Sequence, residues 1–166
     1  MAVQKTQPVH LAGSLFERPR HVCAFFHSRD EANNTLIPFI TEGVEHGDKS
    51  FHIVDGRKRS AHEQMLETAG VTVPPEQRRS EGTRRGARLE IRTWDETYLL
   101  NGHFDQHRQL ALIETVLTTG NEEGYPLTRL VANMEWALEP RPGVGDLVEY
   151  ETRLNYVLPK YDDAVV

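Results

Sequence analysis

The chain has 166 residues, of which 38% are hydrophobic and 27% charged, with a formal net charge of −6 at pH 7. That length suits one domain with a full core, no apolar run approaches the roughly 18 residues of a membrane span, and the acidic balance argues against direct nucleic-acid binding. A lone cysteine, Cys23, excludes an intrachain disulfide; with no signal-peptide core at the N-terminus, the expectation is a cytoplasmic protein.

Residues 1–19 read as a loosely ordered lead-in and 20–166 as the single domain. A first buried strand is expected over about 20–27, His21-Val22-Cys23-Ala24-Phe25-Phe26-His27, because it is apolar on both faces. Ser28-Arg29-Asp30-Glu31 then fits a capping box that opens a helix to His46, with Glu31 returning to the Ser28 N–H. Pro38 should kink that helix or shift its start. Gly47-Asp48-Lys49-Ser50 is a turn into a second strand, about 50–55, ending at Asp55. A second helix runs from about Arg57 to Ala69 and stops at Gly70. Residues 71–86 form the longest loop.

Alternation in Arg88-Leu89-Glu90-Ile91-Arg92-Thr93-Trp94 predicts a half-exposed or edge strand. A helix over about 104–119 buries Leu110, Ile113, Val116 and Leu117. A fourth strand covers Arg129 to Trp136, and a last helix at about 145–158 turns Leu147, Tyr150, Leu154 and Val157 inward. Ala164-Val165-Val166 reads as the stub of a fifth strand with an unfinished edge, and either self-association through that edge or dependence on a missing segment is expected.

Strands alternating with helices at this spacing give an α/β fold, three layers with a mostly parallel sheet flanked by helices. Ligands of such folds bind at the carboxyl ends of the strands, which nominates His27, Ser28, Asp55, Arg57, Trp94, Asp95, Glu135 and Trp136. A nucleotide site at the first turn would need glycines and a lysine. The turn His27-Ser28-Arg29-Asp30-Glu31 has neither, and its two carboxylates repel phosphate.

Charge is uneven. Residues 57–92 hold nine Lys/Arg against five Asp/Glu, and residues 93–166 hold five against thirteen. The cluster Arg78, Arg79, Arg84, Arg85 and Arg88 reads as a solvated loop. His21 and Cys23 share one strand face, and His52 is the nearest candidate to join them in holding a soft metal; two ligands on a strand are not a site. Cys23, in mid-strand, is expected to be buried and inert. His103 and His107 lie at i, i+4 without the glutamate of a zinc-protease helix. His46 and His62 read as exposed helix residues. Glu135-Trp136 at a strand end offers a polar contact and an apolar wall for a small molecule, or else a salt-bridged glutamate and a core tryptophan.

The blocks HVCAFFHSRDEANNTLIPFITEGVEHGDKSFHIVDG, LEIRTWDETYL, PLTRLVANMEWAL and RPGVGDLVEYETRLNYVLPKYDDAVV occur in that order. Together they resemble the MEDS (methanogen/methylotroph sensory) domain from about residue 20 to the end. The resemblance implies a RecA/KaiC-like fold that has lost its ATP site, and sensing of simple hydrocarbon-derived small molecules in prokaryotic signal transduction. It also implies a regulatory partner: a kinase-like ATPase, an anti-anti-sigma protein or a DNA-binding regulator. His21, Phe26, Glu31, Glu135 and Trp136 match positions expected to be distinctive of the family.

The resulting expectation is a non-catalytic sensor without a cofactor. Its ligand set would be His21, Phe26, His27, Glu31, Asp55, Trp94, Glu135 and Trp136, between the ends of the first and fourth strands. The rival is a ligand-free protein–protein module. A third reading is a metal-dependent enzyme using His21, Cys23, His52 or Glu135.

Overall fold

The computed structural model describes residues 8–18, 20–75 and 88–166. Its centre is a five-stranded, wholly parallel sheet, built from β3 (Arg20–His21), β4 (Lys49–Val54), β5 (Leu89–Thr93), β6 (Thr128–Ala132) and β7 (Ala164–Val165) in the spatial order β3-β7-β6-β4-β5. Two further short strands, β1 (His10–Leu11) and β2 (Ser14–Leu15), form an antiparallel hairpin ahead of it.

Alternation along the strands divides the core into two layers, as the period of two requires. Phe51, Ile53, Leu130 and Val165 point to one face, where α3 (Gln106–Glu122) and α4 (Leu147–Val157) contribute Ile113, Leu117, Tyr150 and Leu154. Val54, Leu89, Ile91, Val131 and Ala164 point to the other, against Phe39 and Ile40 of α1 (Arg29–His46) and Leu66 of α2 (Arg59–Thr68). The three-layer α/β expectation therefore holds.

Several local expectations are corrected. The lead-in is not loose over residues 8–18. Val9 and Phe16 are buried in the α1/α2 layer, the Phe16 N–H donates to the Val9 carbonyl at 2.7 Å, and the His10 N–H donates to Glu42 at 3.0 Å. The first strand stops at His21. Beyond one more ladder bond, Val22 N–H to the Val165 carbonyl at 3.0 Å, the chain leaves the sheet as an extended strap to Ser28, with Cys23, Ala24 and Phe25 exposed. Cys23 is thus not a buried mid-strand thiol.

The expected fourth strand ends at Ala132, and Glu135–Leu138 is a 3-10 turn. β7 is not an open edge. It lies between β3 and β6, and the Val166 N–H donates to Leu130 while its carbonyl accepts from Ala132, both at 2.9 Å. The edges are β3 and β5, the latter as its alternating pattern predicts. Expectations placed on residues 76–86, Arg78, Arg79, Arg84 and Arg85 among them, lie outside the described residues.

Helix α1 starts where its capping residue predicts. The Ser28 hydroxyl accepts from the Glu31 N–H at 3.1 Å, while Glu31 reaches back one residue further than expected, to the His27 N–H at 2.6 Å. Pro38 lies inside the helix without moving its start. The helix ends at Gly47, whose φ of 85° is left-handed, letting the Asp48 N–H close back on the Gly43 carbonyl at 2.9 Å. The turn into β4 is buried at Asp48, Lys49 and Ser50, and the strand begins at Lys49, one residue before the expected start.

At the amino ends of the strands sits a buried ion cluster. Arg129, 1% exposed, donates to Asp48 and Glu42, each at 2.7 Å, and to the Phe39 carbonyl at 2.8 Å. Lys49 pairs with Glu123 at 2.7 Å. These contacts fix the end of the sheet opposite the strap.

Candidate functional site

A cavity of about 670 Å³ opens at the carboxyl ends of β3, β4, β6 and β7, alongside the strap of residues 22–28. That volume lies in the range typical of small-molecule sites, about 300–1,000 Å³. Its walls are mainly apolar. Val22, Phe26, Leu36 and Met65 line one side, Ile53, Leu130, Ala132 and Met134 the strand ends, and Tyr98, Ile113, Tyr150 and Leu154 the α3/α4 side.

Polar groups gather around this cavity in three places. At the root of the strap, His21 bridges to α4, with Nδ1 2.8 Å from Asn155 Oδ1 and Nε2 3.3 Å from Glu151 Oε2. The hydrogen bond to Glu151 raises the His21 pKa against the opposing effect of burial, so its cationic form is favoured. At the mouth, the Asp55 carboxylate accepts from the Arg57 N–H at 2.9 Å and from its guanidinium at 2.8–3.0 Å, and those bonds hold it below the usual carboxylate range. Beside it Lys58 forms an ion pair with Glu135.

On the α2 side, the rings of His52 and His62 meet edge to face, with His52 Nδ1 2.9 Å from His62 Nε2. Burial drives His52 well below its ordinary value and His62 to about 4, so this pair is neutral near pH 7. His62 is a cavity residue, not the exposed helix residue expected.

The nominated residues divide accordingly. His21, Phe26, His27, Asp55 and Glu135 border the cavity. His27 is at the rim and exposed, 3.3 Å from Glu31. Glu31 lies outside the cavity as a helix cap, and the His27 backbone bond lowers its pKa. Trp94 and Trp136 are buried away from it. The Trp94 indole donates to the Asn133 carbonyl at 2.9 Å, and Trp136 packs between Tyr98, at 5.2 Å, and Phe104, at 5.0 Å. The expected apolar wall is therefore not Trp136. Strand alternation cannot place it, because residues 135–138 are no longer strand.

The metal candidates do not converge. Cys23 is exposed on the strap, His21 faces α4 and His52 faces α2. Among the described residues no group of three or more His, Cys, Asp or Glu side chains is gathered for a metal ion. His103 precedes the Asp105 cap of α3, so it and His107 do not share a helical face.

Sequence reasoning missed Tyr98, His62, Glu151 and Asn155. Of the cavity's α4 residues, only the inward Tyr150 and Leu154 were legible, from helical spacing.

The family model described as MEDS, MEthanogen/methylotroph, DcmR Sensory domain, matches residues 20–166. No curated protein and no solved structure matches the chain. Among the described residues no helix is long and apolar enough to cross a membrane.

Proposed function

The chain belongs to the MEDS sensory-domain family, and on that premise we propose that it is a non-catalytic sensor that binds a small organic molecule in the cavity beside the strap. The observation that carries this reading is the cavity itself: about 670 Å³, mainly apolar, at the strand ends where parallel α/β sheets hold ligands. The driving force for such a ligand is burial, roughly 25 cal/mol per Å² of apolar area.

The strap supplies the readout. It is tied to the sheet at His21 and to α1 at Ser28, and the chain between them borders the cavity. A ligand that favours one arrangement of the strap shifts its population by its differential affinity, and a regulatory partner protein reads the result. A kinase-like ATPase, an anti-anti-sigma protein or a DNA-binding regulator fits that role. Asp30 and Glu31 at the start of α1, in place of a glycine-lysine loop, favour a ligand without phosphate. The RecA/KaiC-like ancestry of the scaffold belongs to this proposal.

A second reading rests on Phe25 and Leu138, 87% and 86% exposed at the cavity rim. Two large apolar side chains in water favour a face that docks protein, with the cavity as a by-product.

Native mass spectrometry and calorimetry of the purified chain, with Ala132→Trp as a cavity-filling variant, separate the two. Saturable binding of a small molecule, abolished by Ala132→Trp in a folded protein, is the expected result. Binding that Ala132→Trp leaves untouched would move the site elsewhere and favour the docking face.

A further inference from the structure

The strap of residues 22–28 is held at its ends. At the far end His27 and Ser28 are bonded into the start of α1. At the near end β3 gives two ladder pairs, and the Val22 N–H bonds to Val165. Between them no backbone hydrogen bond ties residues 23–26 to another described residue. What fastens the near end sideways is His21. Its side chain, 12% exposed, is set against α4, between Asn155 Oδ1 at 2.8 Å and Glu151 Oε2 at 3.3 Å.

Both of those partners are acceptors. The ring completes both contacts only with a proton on each nitrogen, as imidazolium. Deprotonation takes the cation away from Glu151 and leaves one ring nitrogen facing an oxygen with no hydrogen between them. The surrounding groups do not replace that charge. Cys23, on the same strand face, keeps its thiol proton, because burial and Glu151 both raise its pKa. From β7 the paired residue is the apolar Val165. On α4 Arg153 is drawn to Glu149, and Arg20 is bonded to the Phe16 and Asp162 carbonyls. At the cavity mouth Arg57 and Lys58 are paired with Asp55 and Glu135. The Tyr98 and Tyr150 phenols on the α3/α4 side stay neutral.

We propose that His21 is a pH-sensitive latch on the strap: as imidazolium it holds the strap against α4 beside the cavity, and as the neutral ring it releases it. The sign follows from linkage. Glu151 raises the His21 pKa above its ordinary 6.5 while the strap is closed, and release restores the ordinary value. Closure is therefore favoured most below 6.5 and lost as the pH rises through the raised value. His27 at the far end is no such latch. Its backbone N–H makes the bond to Glu31 whatever the state of its ring, which is 96% exposed.

The lone cysteine makes the test site-specific. A trifluoromethyl tag on Cys23, read by fluorine NMR, reports the strap, and carbon–proton NMR of the imidazoles reports His21, over about pH 5 to 9. The tag should pass from one limiting signal to another with the midpoint of the His21 ring. His21→Gln should hold the tag at its high-pH signal throughout. Glu151→Gln should lower both midpoints by about one unit, and His27→Gln should leave them in place. Should His21→Gln fail to fold, Glu151→Gln decides.

A tag that stays still while the ring titrates overturns the latch. So does a ring that does not titrate over this range, or a transition that keeps its midpoint in Glu151→Gln. The latch stands on the attachment of the strap, whether or not the cavity binds a small molecule, so the two readings fail independently.

Discussion

Replacing Gly43 by alanine should destabilise the protein, although alanine is the better helix former. Gly43 lies inside α1 against Arg129, and a Cβ there would sit 2.6 Å from Arg129 Cδ and 2.7 Å from its Nε. Arg129 cannot yield cheaply. It is 1% exposed, it is bonded to Asp48, Glu42 and the Phe39 carbonyl, and its guanidinium lies 5.0 Å from the centre of the Phe39 ring. Displacing it leaves Asp48, itself 1% exposed, without its partner. Breaking a buried pair costs about 3–5 kcal/mol, whereas alanine in place of glycine returns about 1 kcal/mol of helix propensity. The net expectation is a loss of about 2–4 kcal/mol. Urea denaturation measures it, and the same substitution in an Arg129→Ala/Asp48→Asn background isolates its cause. There the obstruction and the orphaned charge are both gone, and Gly43→Ala should become stabilising by about 1 kcal/mol. An equal loss in both backgrounds would refute the reasoning.

Burial raises the Asp163 carboxyl to about 6, against the Thr128 N–H bond and an ordinary value of 3.8. The unfolded chain then loses this proton first, so stability should fall as pH rises from about 4 to 6 and level off above. Asp163→Asn should match wild type at pH 4 and exceed it at pH 7 in urea titrations; a difference independent of pH would count against the assignment. Trp136→Ala should cost about 3–5 kcal/mol by thermal or chemical unfolding, because the side chain is wholly buried in the aromatic cluster. A variant as stable as wild type would contradict that placement. Cys23, exposed on the strap, should react with a disulfide reagent in the folded protein, and more slowly once the cavity is filled. A thiol that reacts only after denaturation would refute the exposed strap.

The layered sheet was legible because its signals are local and periodic. Phe51 and Ile53 alternate with Ser50 and His52, and Ile113, Val116 and Leu117 repeat on one helical face. The strap was not legible. His21 to His27 has the composition of a buried strand, and only β3's edge position, with two ladder pairs, lets the chain depart after His21. The strand-end rule pointed to Glu135, which does border the cavity. Trp136 was misplaced because the 3-10 turn after β6 rotates it into the core. Tyr98 and His62 carry no motif. They reach the cavity from distant elements, and no spacing along the chain encodes that.

The pairing of β3 with β7 has a consequence for the order of folding. Arg20 is matched to Ala164 and His21 to Val165, so the first and last strands of the sheet are neighbours. That junction closes nearly the whole chain into a loop, and only two residue pairs plus the Val22 bond reward the closure. Contacts so far apart in sequence are slow to form, and a short ladder at a sheet edge is cheap to lose. Strands β4, β5 and β6 share longer registers of five pairs at each junction and can assemble without it. The seam at β3 is accordingly the last part of the sheet to close and the first to unzip, so hydrogen exchange at Val22 should outpace exchange at Ile53.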